Sequence, residues 1–371
     1  MGEFLAGIVG SFLKTLLGPA LRPAAFAAAA AFLCAAALSR AQSATHPPEP
    51  PAFREVVDET GRTVRIVQPV RRIVSLAPSL TETIYALGLE DRLVGDTDYC
   101  DYPPDAKNKT KVGGGINPSL EVIGSLHPDL VLVAKSFNRL ETTQSLDQLG
   151  IPSYATDPHT VADIISSIKT LADVLGVPEA GALVAEEMQH RLAALQQRIG
   201  GLPPKRTLFV VWTQPLISTG QHTFLADALR HAGAVSIVDS SQDWPQVNLE
   251  EVARLQPDFL VFAESQPGSP SREVEKLATL PGWKILHAVR DRRYAVISDA
   301  VNRPAPRIIS AIEDLARQLH PEAFAEKPGS AKKTMEKENP PFRPSACAPF
   351  PNASRPLEGQ FTSPGGCACG R

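Results

Sequence analysis

Short apolar runs and helix-spaced stretches alternate along most of this chain. Arg72-Ile73-Val74-Ser75-Leu76, Leu93-Val94-Gly95 and Leu130-Val131-Leu132-Val133 are brief, rich in aliphatic residues and bounded by turn formers. That is the pattern of strands buried on both faces of a parallel sheet. Upstream, Glu55–Asp58 and Thr63–Ile66 flank Glu59-Thr60-Gly61-Arg62, a hairpin with a glycine turn. Ala77-Pro78-Ser79 forms a turn, with Ser79 or Thr81 as cap of a helix that continues through Thr83–Leu87 and stops at Gly88. Leu140–Leu149 has helical spacing, and Ile151-Pro152-Ser153-Tyr154 starts another strand. Strand–helix alternation of this kind predicts a parallel sheet covered by helices.

One stretch occurs twice. Ser119-Leu120-Glu121-Val122-Ile123-Gly124-Ser125-Leu126-His127-Pro128-Asp129 has its echo in Asn248-Leu249-Glu250-Glu251-Val252-Ala253-Arg254-Leu255-Gln256-Pro257-Asp258. Leu, Glu, Leu, Pro and Asp fall at the same offsets, and an apolar run follows each copy. Leu120, Ile123 and Leu126 lie on one face of a short helix, as do Leu249, Val252 and Leu255. Proline restricts the residue before it and ends each helix. Each copy is therefore a helix–turn–strand piece of an α/β unit, and two copies 129 positions apart predict two similar lobes.

The longest helical pattern, Thr160 to about Ile199, separates them. Val161, Ile164, Ile165, Ile168, Leu171 and Leu175 keep one apolar stripe, Gly176-Val177-Pro178 interrupts it, and the spacing resumes from Gly181. The second lobe opens with a strand over Arg206–Trp212, then a helix over Phe224–Ala232. After the second repeat come Trp283-Lys284-Ile285, Tyr294-Ala295-Val296-Ile297 and a helix from about Ala305 to Leu319. The predicted division is a signal segment and linker over 1–51, an N-terminal α/β lobe over 52–158, an interlobe helix over 159–201, a C-terminal α/β lobe over 202–325 and a Pro-rich disordered tail over 326–371. A helical spine predicts small closure on ligand binding.

Composition narrows the class. The chain has 371 residues, enough for two domains, and a formal net charge of −3, which implies neither nucleic acid nor an anionic surface. Ala24–Leu38 is an apolar, Ala-rich run preceded by Lys14 and Arg22 and followed by Ser39-Arg40-Ala41, as in an export signal; an uncleaved membrane anchor is the alternative. Leu33 before Cys34 makes a poor lipidation site. Cys347, Cys367 and Cys369 lie in the tail and Cys100 in the folded part, so no disulfide framework holds the lobes.

No catalytic constellation stands out. There is no nucleophile elbow and no His-Glu-x-x-His, and the histidines are scattered, with His127 and His159 at turns. Aromatics and charges instead collect after strands, where open α/β sheets bind ligands: Tyr99 and Tyr102 in lobe one, Trp212, Trp244, Asp299 and Arg303 in lobe two. Aromatic faces suit a broad planar ligand, and Asp and Arg add directed hydrogen bonds at its rim. Trp212 reads equally well as core, and Asp299 with Arg303 as a surface ion pair. Glu121 and Glu250 sit where a helix dipole favours a carboxylate, or they form a symmetric pair that docks on basic residues of a symmetric partner.

Together, Arg72–Glu82, Asp98-Tyr99-Cys100-Asp101-Tyr102-Pro103-Pro104, Leu120-Glu121, Trp244-Pro245-Gln246-Val247, Ser298–Arg303 and Pro306-Arg307-Ile308-Ile309 resemble the periplasmic cobalamin-binding proteins of vitamin B12 ABC importers. The resemblance runs from about Val56 to Leu319. It implies the class III periplasmic binding fold, two α/β lobes with mostly parallel sheets joined by one long rigid helix, in a family that also binds ferric siderophores and haem. It implies a non-enzymatic, exported carrier in which Tyr99, Trp244, Asp299 and Arg303 contact a corrinoid, while Glu121 and Glu250 dock on arginines of an ABC permease dimer. No cofactor is implied beyond the transported corrinoid. Two departures weaken the aromatic wall: the cobalamin binders carry Trp where Gly115 and Ala300 stand. A siderophore or haem carrier would need basic residues such as Arg303 and Arg139 in the cleft. A corrinoid sensor or corrinoid-acting enzyme is the alternative from another class.

Overall fold

The computed structural model describes residues 52–264 and 272–325, and the architecture below is that of the unit from Glu55 on. The predicted signal segment, the tail, Cys34 and the three tail cysteines lie outside the described residues. The strands β1 (Ala52–Val57) and β2 (Thr63–Gln68) form a two-stranded sheet. Its turn closes through the Asp58 amide donating to the Arg62 carbonyl at 2.9 Å, with Gly61 at φ +85°. The elements β3 (Ile73–Ser75), α1 (Pro78–Ala86), β4 (Leu93–Asp96), β5 (Thr110–Lys111), α2 (Leu120–Ser125), β6 (Leu130–Ala134), α3 (Leu140–Gln148) and β7 (Ser153–Thr156) follow. They build lobe one around a five-stranded parallel sheet of order β5-β4-β3-β6-β7. The predicted cap of α1 is different: Ala77 is the N-cap and Pro78 opens the helix, so Ser79 and Thr81 lie inside it, buried. Proline serves there because its missing N–H would have no helical partner anyway.

The long helical pattern is two helices, α4 (Val161–Val174) and α5 (Pro178–Ile199). The break at Gly176, with φ +76°, lets α5 fold back against α4. Gly181 permits the close approach, since a Cβ there would stand 2.4 Å from that of Ala172. The 22-residue α5 is thus the long helix that leads into lobe two, while α4 packs along it. A capping box between Thr160 and Asp163 starts α4. Burying each of Ile164, Ile168 and Leu171 on its inner stripe contributes about 2 kcal/mol.

Lobe two contains β8 (Lys205–Phe209), the hairpin of β9 (Trp212–Thr213) and β10 (Leu216–Ile217), α6 (Phe224–His231), β11 (Ala234–Ser236), α7 (Leu249–Leu255), β12 (Phe259–Glu264), α8 (Arg272–Lys276), α9 (His287–Arg290), β13 (Tyr294–Ser298) and α10 (Ile308–Leu319). Its parallel sheet has the order β11-β8-β12-β13. Trp283-Lys284-Ile285 is a 3-10 turn.

Alternation along the central strands sorts side chains between layers. In β6, Leu130 and Leu132 enter one core while Val131 and Val133 enter another. In β12, Val261 enters the first of these cores, and Leu260 and Phe262 a third. The first core is continuous from Ile73 and Leu130 of lobe one, through Ile168 and Leu192 of the two helices, to Phe209 and Ile312 of lobe two. The lobes therefore share one apolar interior, and each sheet has a private second layer. This is the two-lobed, parallel-sheet α/β fold that the repeat predicts.

Candidate ligand-binding site

In open parallel sheets a crevice forms at the carboxyl ends of neighbouring strands whose onward connections run in opposite directions. In lobe one, β3 leads to β4 on one side and β6 to β7 on the other, so the crevice lies between the ends of β3 and β6. In lobe two, β8 and β12 stand in the same relation.

One buried side chain shapes the lobe-one crevice. Asn138, just past β6, donates from Nδ2 to the carbonyls of Leu76 and Gly115, both at 2.8 Å, while its Oδ1 accepts the Ala134 amide at 2.8 Å. The ends of β3 and β6 are thereby tied to the Gly113-Gly114-Gly115 turn. Beside it, Tyr99 on the loop after β4 meets Phe137 edge to face, with centroids 6.1 Å apart and planes at 86°. The rest of the Tyr99 loop is anchored beneath the surface. Lys111 Nζ donates to Asp96 Oδ1 at 2.7 Å and to the Cys100 and Ala106 carbonyls. Burial pushes the Asp96 carboxyl up to about 6 despite the Lys111 ammonium, and burial also pushes the Cys100 thiol up.

The two lobes meet in an ion network centred on Glu82, in α1, whose side chain is 2% exposed. Arg303 Nη1 donates to Glu82 Oε1 at 2.8 Å and to Asp101 Oδ1 at 2.7 Å. Arg307 binds the same carboxylate with two donors, Nε to Oε2 at 2.9 Å and Nη2 to Oε1 at 2.7 Å. Its guanidinium also lies 3.9 Å from the centre of the Tyr102 ring. Burial works against the charge of Arg303, but its bonds to Asp101 and Glu82 outweigh that and hold it protonated beyond the ordinary arginine range. Burial likewise raises Asp101, and Arg303 more than reverses it.

The structure places the predicted residues as follows. Arg303 is mostly buried and committed to Glu82 and Asp101, with Asp299 3.6 Å away on the same turn. Tyr99 is 59% exposed and pairs with Phe137. Trp244 is 48% exposed on the separate loop before α7, which is bridged to β10 through Gln246. Trp212 is 61% exposed, so its reading as core fails: β8 ends at Phe209, and the Val211 amide donates to the Ile217 carbonyl to start the β9–β10 hairpin. Glu121 and Glu250 are exposed in the first turns of α2 and α7. Arg139 is exposed at the start of α3.

Sequence reasoning assigned no role to Glu82, Asp101, Arg307, Phe137 or Asn138. Glu82, Asp101 and Arg307 stand inside segments that had already attracted notice, which is the one signal that pointed at them. Among the described residues no group of three or more His, Cys, Asp or Glu is placed to hold a metal, and no helix is long and apolar enough to cross a membrane.

The family model described as periplasmic binding protein matches residues 73–300. The vitamin B12-binding protein of Yersinia pestis (strain Pestoides F) is 32% identical over 253 residues, covering 68% of this chain and 87% of that protein. Among solved structures, the periplasmic vitamin B12-binding protein of Vibrio cholerae superposes with a TM-score of 0.60 at 30% identity, covering 70% of this chain and 99% of that one. The periplasmic haem-binding protein of Roseiflexus sp. RS-1 gives a TM-score of 0.60 at 26% identity, covering 68% and 99%.

Proposed function

The chain belongs to the periplasmic binding protein family, solute carriers of ABC import rather than enzymes, and from that premise we propose that its ligand is a corrinoid, cobalamin. The ligand would sit between the carboxyl-end rims of the two sheets, against Tyr99 and Trp244, with Asp299 and Arg303 at its edge.

The observation that carries this reading is the charge state of the rim. Arg303 and Arg307 are both committed to Glu82, and Arg303 also to Asp101. A ligand that brings carboxylates, such as haem or an acidic ferric chelate, would have to break those pairs to engage Arg303 or Arg307. A corrinoid presents a broad macrocycle fringed with neutral amides. It needs aromatic faces and hydrogen-bonding groups, which Tyr99, Tyr102, Trp212 and Trp244 and the half-exposed Asp299 supply. The similarity to vitamin B12-binding proteins supports the same choice.

Calorimetric titration of the purified protein with cyanocobalamin, haem and a ferric hydroxamate tests it. One-to-one binding of cobalamin, weakened on the order of tenfold by Trp244→Ala through the loss of about 1.4 kcal/mol of ring contact, is expected. Binding of haem or the iron chelate without cobalamin overturns the ligand and leaves the carrier role standing.

Delivery is proposed to run through Glu121 and Glu250, one exposed acid per lobe at equivalent positions, docking on basic residues of a symmetric permease dimer. The double variant Glu121→Ala/Glu250→Ala should keep ligand affinity and lose uptake in cells. Uptake at the wild-type rate would remove the docking role.

A further inference from the structure

We propose that Phe137 is a ligand-contacting and specificity-determining residue: its ring, seated over Gly115 and set edge-on to Tyr99, is the stacking platform of the lobe-one crevice. The proposal rests on the reading of this rim as the site of a planar macrocycle.

Three observations carry it. First, the ring takes the space above a glycine. A Cβ on Gly115 would stand 2.0 Å from Cε1 of Phe137, 2.7 Å from Cδ1 and 2.8 Å from Cζ. Gly115 does not have a positive φ, so its small size there answers to the ring rather than to backbone strain.

Second, the loop that presents Phe137 is fixed by its neighbour. Buried Asn138 makes three hydrogen bonds, to Leu76, Gly115 and Ala134, so the platform is tied to both strand ends that border the crevice. Holding a contact residue by bonds of its supporting shell lowers the ordering that binding would otherwise demand.

Third, the ring stays partly open. Phe137 is 36% exposed and Tyr99 59%, although each side chain is large and apolar and each contacts the other. Rings at 86° form a corner. A flat ligand can lie on the face of one ring while the edge of the other closes its side, the two arrangements that aromatic quadrupoles favour. Nothing in the packing of lobe one requires an exposed phenyl group at this point, because Phe137 belongs to none of the three apolar cores.

The test is a titration series on the full-length protein with cyanocobalamin and, in parallel, haem. Phe137→Ala and Phe137→Leu should each weaken binding at least tenfold, because leucine restores volume and not a flat face. Phe137→Tyr should stay within about threefold of wild type. Gly115→Ala should weaken binding as Phe137→Ala does, because its methyl group evicts the ring. The exchange Gly115→Trp/Phe137→Gly, which refills the same space from the opposite loop, should recover most of the loss. Thermal denaturation of each variant should show a midpoint near that of wild type, separating ligand contact from folding. Affinity of Phe137→Ala or Phe137→Leu within twofold of wild type would overturn the proposal, as would an unaffected Gly115→Ala. Should wild type bind haem and not cobalamin, the corrinoid reading fails alone, and the same variants judge Phe137 on haem. Binding of neither overturns both.

Discussion

The two sheets follow the same order about their central strands, β4-β3-β6-β7 in lobe one and β11-β8-β12-β13 in lobe two. Beneath them the doubled sequence does the same structural work twice. Asp129 accepts the Arg71 and Arg72 amides, and Arg72 donates its guanidinium to the carbonyls of Leu126 and His127 at the end of α2. Asp258 accepts the Arg206 amide, and Arg206 donates to Leu255 and Gln256 at the end of α7. Even the left-handed residue before the proline recurs, His127 at φ 45° and Gln256 at φ 46°. At the carboxyl ends the likeness stops. Lobe one carries a loop pinned by Asn138 with the Tyr99–Phe137 corner; lobe two carries a short hairpin with Trp212 and a loop with Trp244. The repeat therefore records how each lobe is built, and the unrepeated rims record what each lobe touches.

The sharpest break in that symmetry is Glu82, an acid of lobe one that holds two arginines of lobe two. Removing the buried partner of an ion cluster leaves its cations unpaired, which costs about 3–5 kcal/mol. Glu82→Ala should therefore lower unfolding free energy by that amount in urea titrations, the largest stability loss expected here. It should also free Arg307, whose carboxylate partner is Glu82, so binding of haem should improve relative to cobalamin. A stability loss below about 1 kcal/mol, within the range of exposed pairs, would show that the network is only a surface contact.

The helix–strand locks offer a direct measure of how equal the lobes are. Asp129 accepts two amides and Asp258 one. With hydrogen bonds to a charged group at about 1.5–3 kcal/mol when buried, and less at these half-exposed positions, Asp129→Ala should cost about 2 kcal/mol and Asp258→Ala about 1 kcal/mol. Equal costs would mean that the second amide bond contributes nothing measurable. A larger cost in lobe two would reverse the comparison.

The sheets and the doubled unit were legible because apolar runs and proline positions are local facts. The interruption at Gly176–Pro178 was legible too, but not the folding of α5 against α4. A turn signal says where a helix ends, and the direction taken afterwards depends on which apolar faces find each other, here Ala172 against Gly181. Trp212 was read as the end of a strand because Leu208–Val211 is continuously apolar; the pairing of Val211 with Ile217 that turns the chain aside is a tertiary choice. At the site, the exposed aromatics could be named from composition and position. Glu82 could not, because its partners lie 221 and 225 positions downstream. Phe137 could not, because a ring above a glycine 22 positions earlier leaves no periodic trace.

Between pH 7 and 5 acid titration gives the smallest effect, and it sets one carboxylate of each lobe against the other. In lobe one, Asp96 is fully buried and its carboxyl is pushed up to about 6 by burial, against Lys111. Its folded value lies above its unfolded one, so the folded state takes up the proton first. This group therefore adds stability as pH falls, about 1 kcal/mol between pH 7 and pH 5. In lobe two, burial raises Asp227 as well, but the hydrogen bonds from His231, the Val161 amide and Arg230 outweigh it and bring the carboxyl down to about 2. Its contribution is present above the ordinary aspartate value and is lost as pH falls from about 4 through 2. Subtracting the stability of Asp96→Asn from that of wild type at each pH should therefore leave a difference that grows on going from pH 7 to 5. The same subtraction for Asp227→Asn should be flat there and fall only below about pH 4. A flat Asp96 difference would place its carboxyl in the ordinary range, and Lys111 rather than burial would then govern the loop that carries Tyr99.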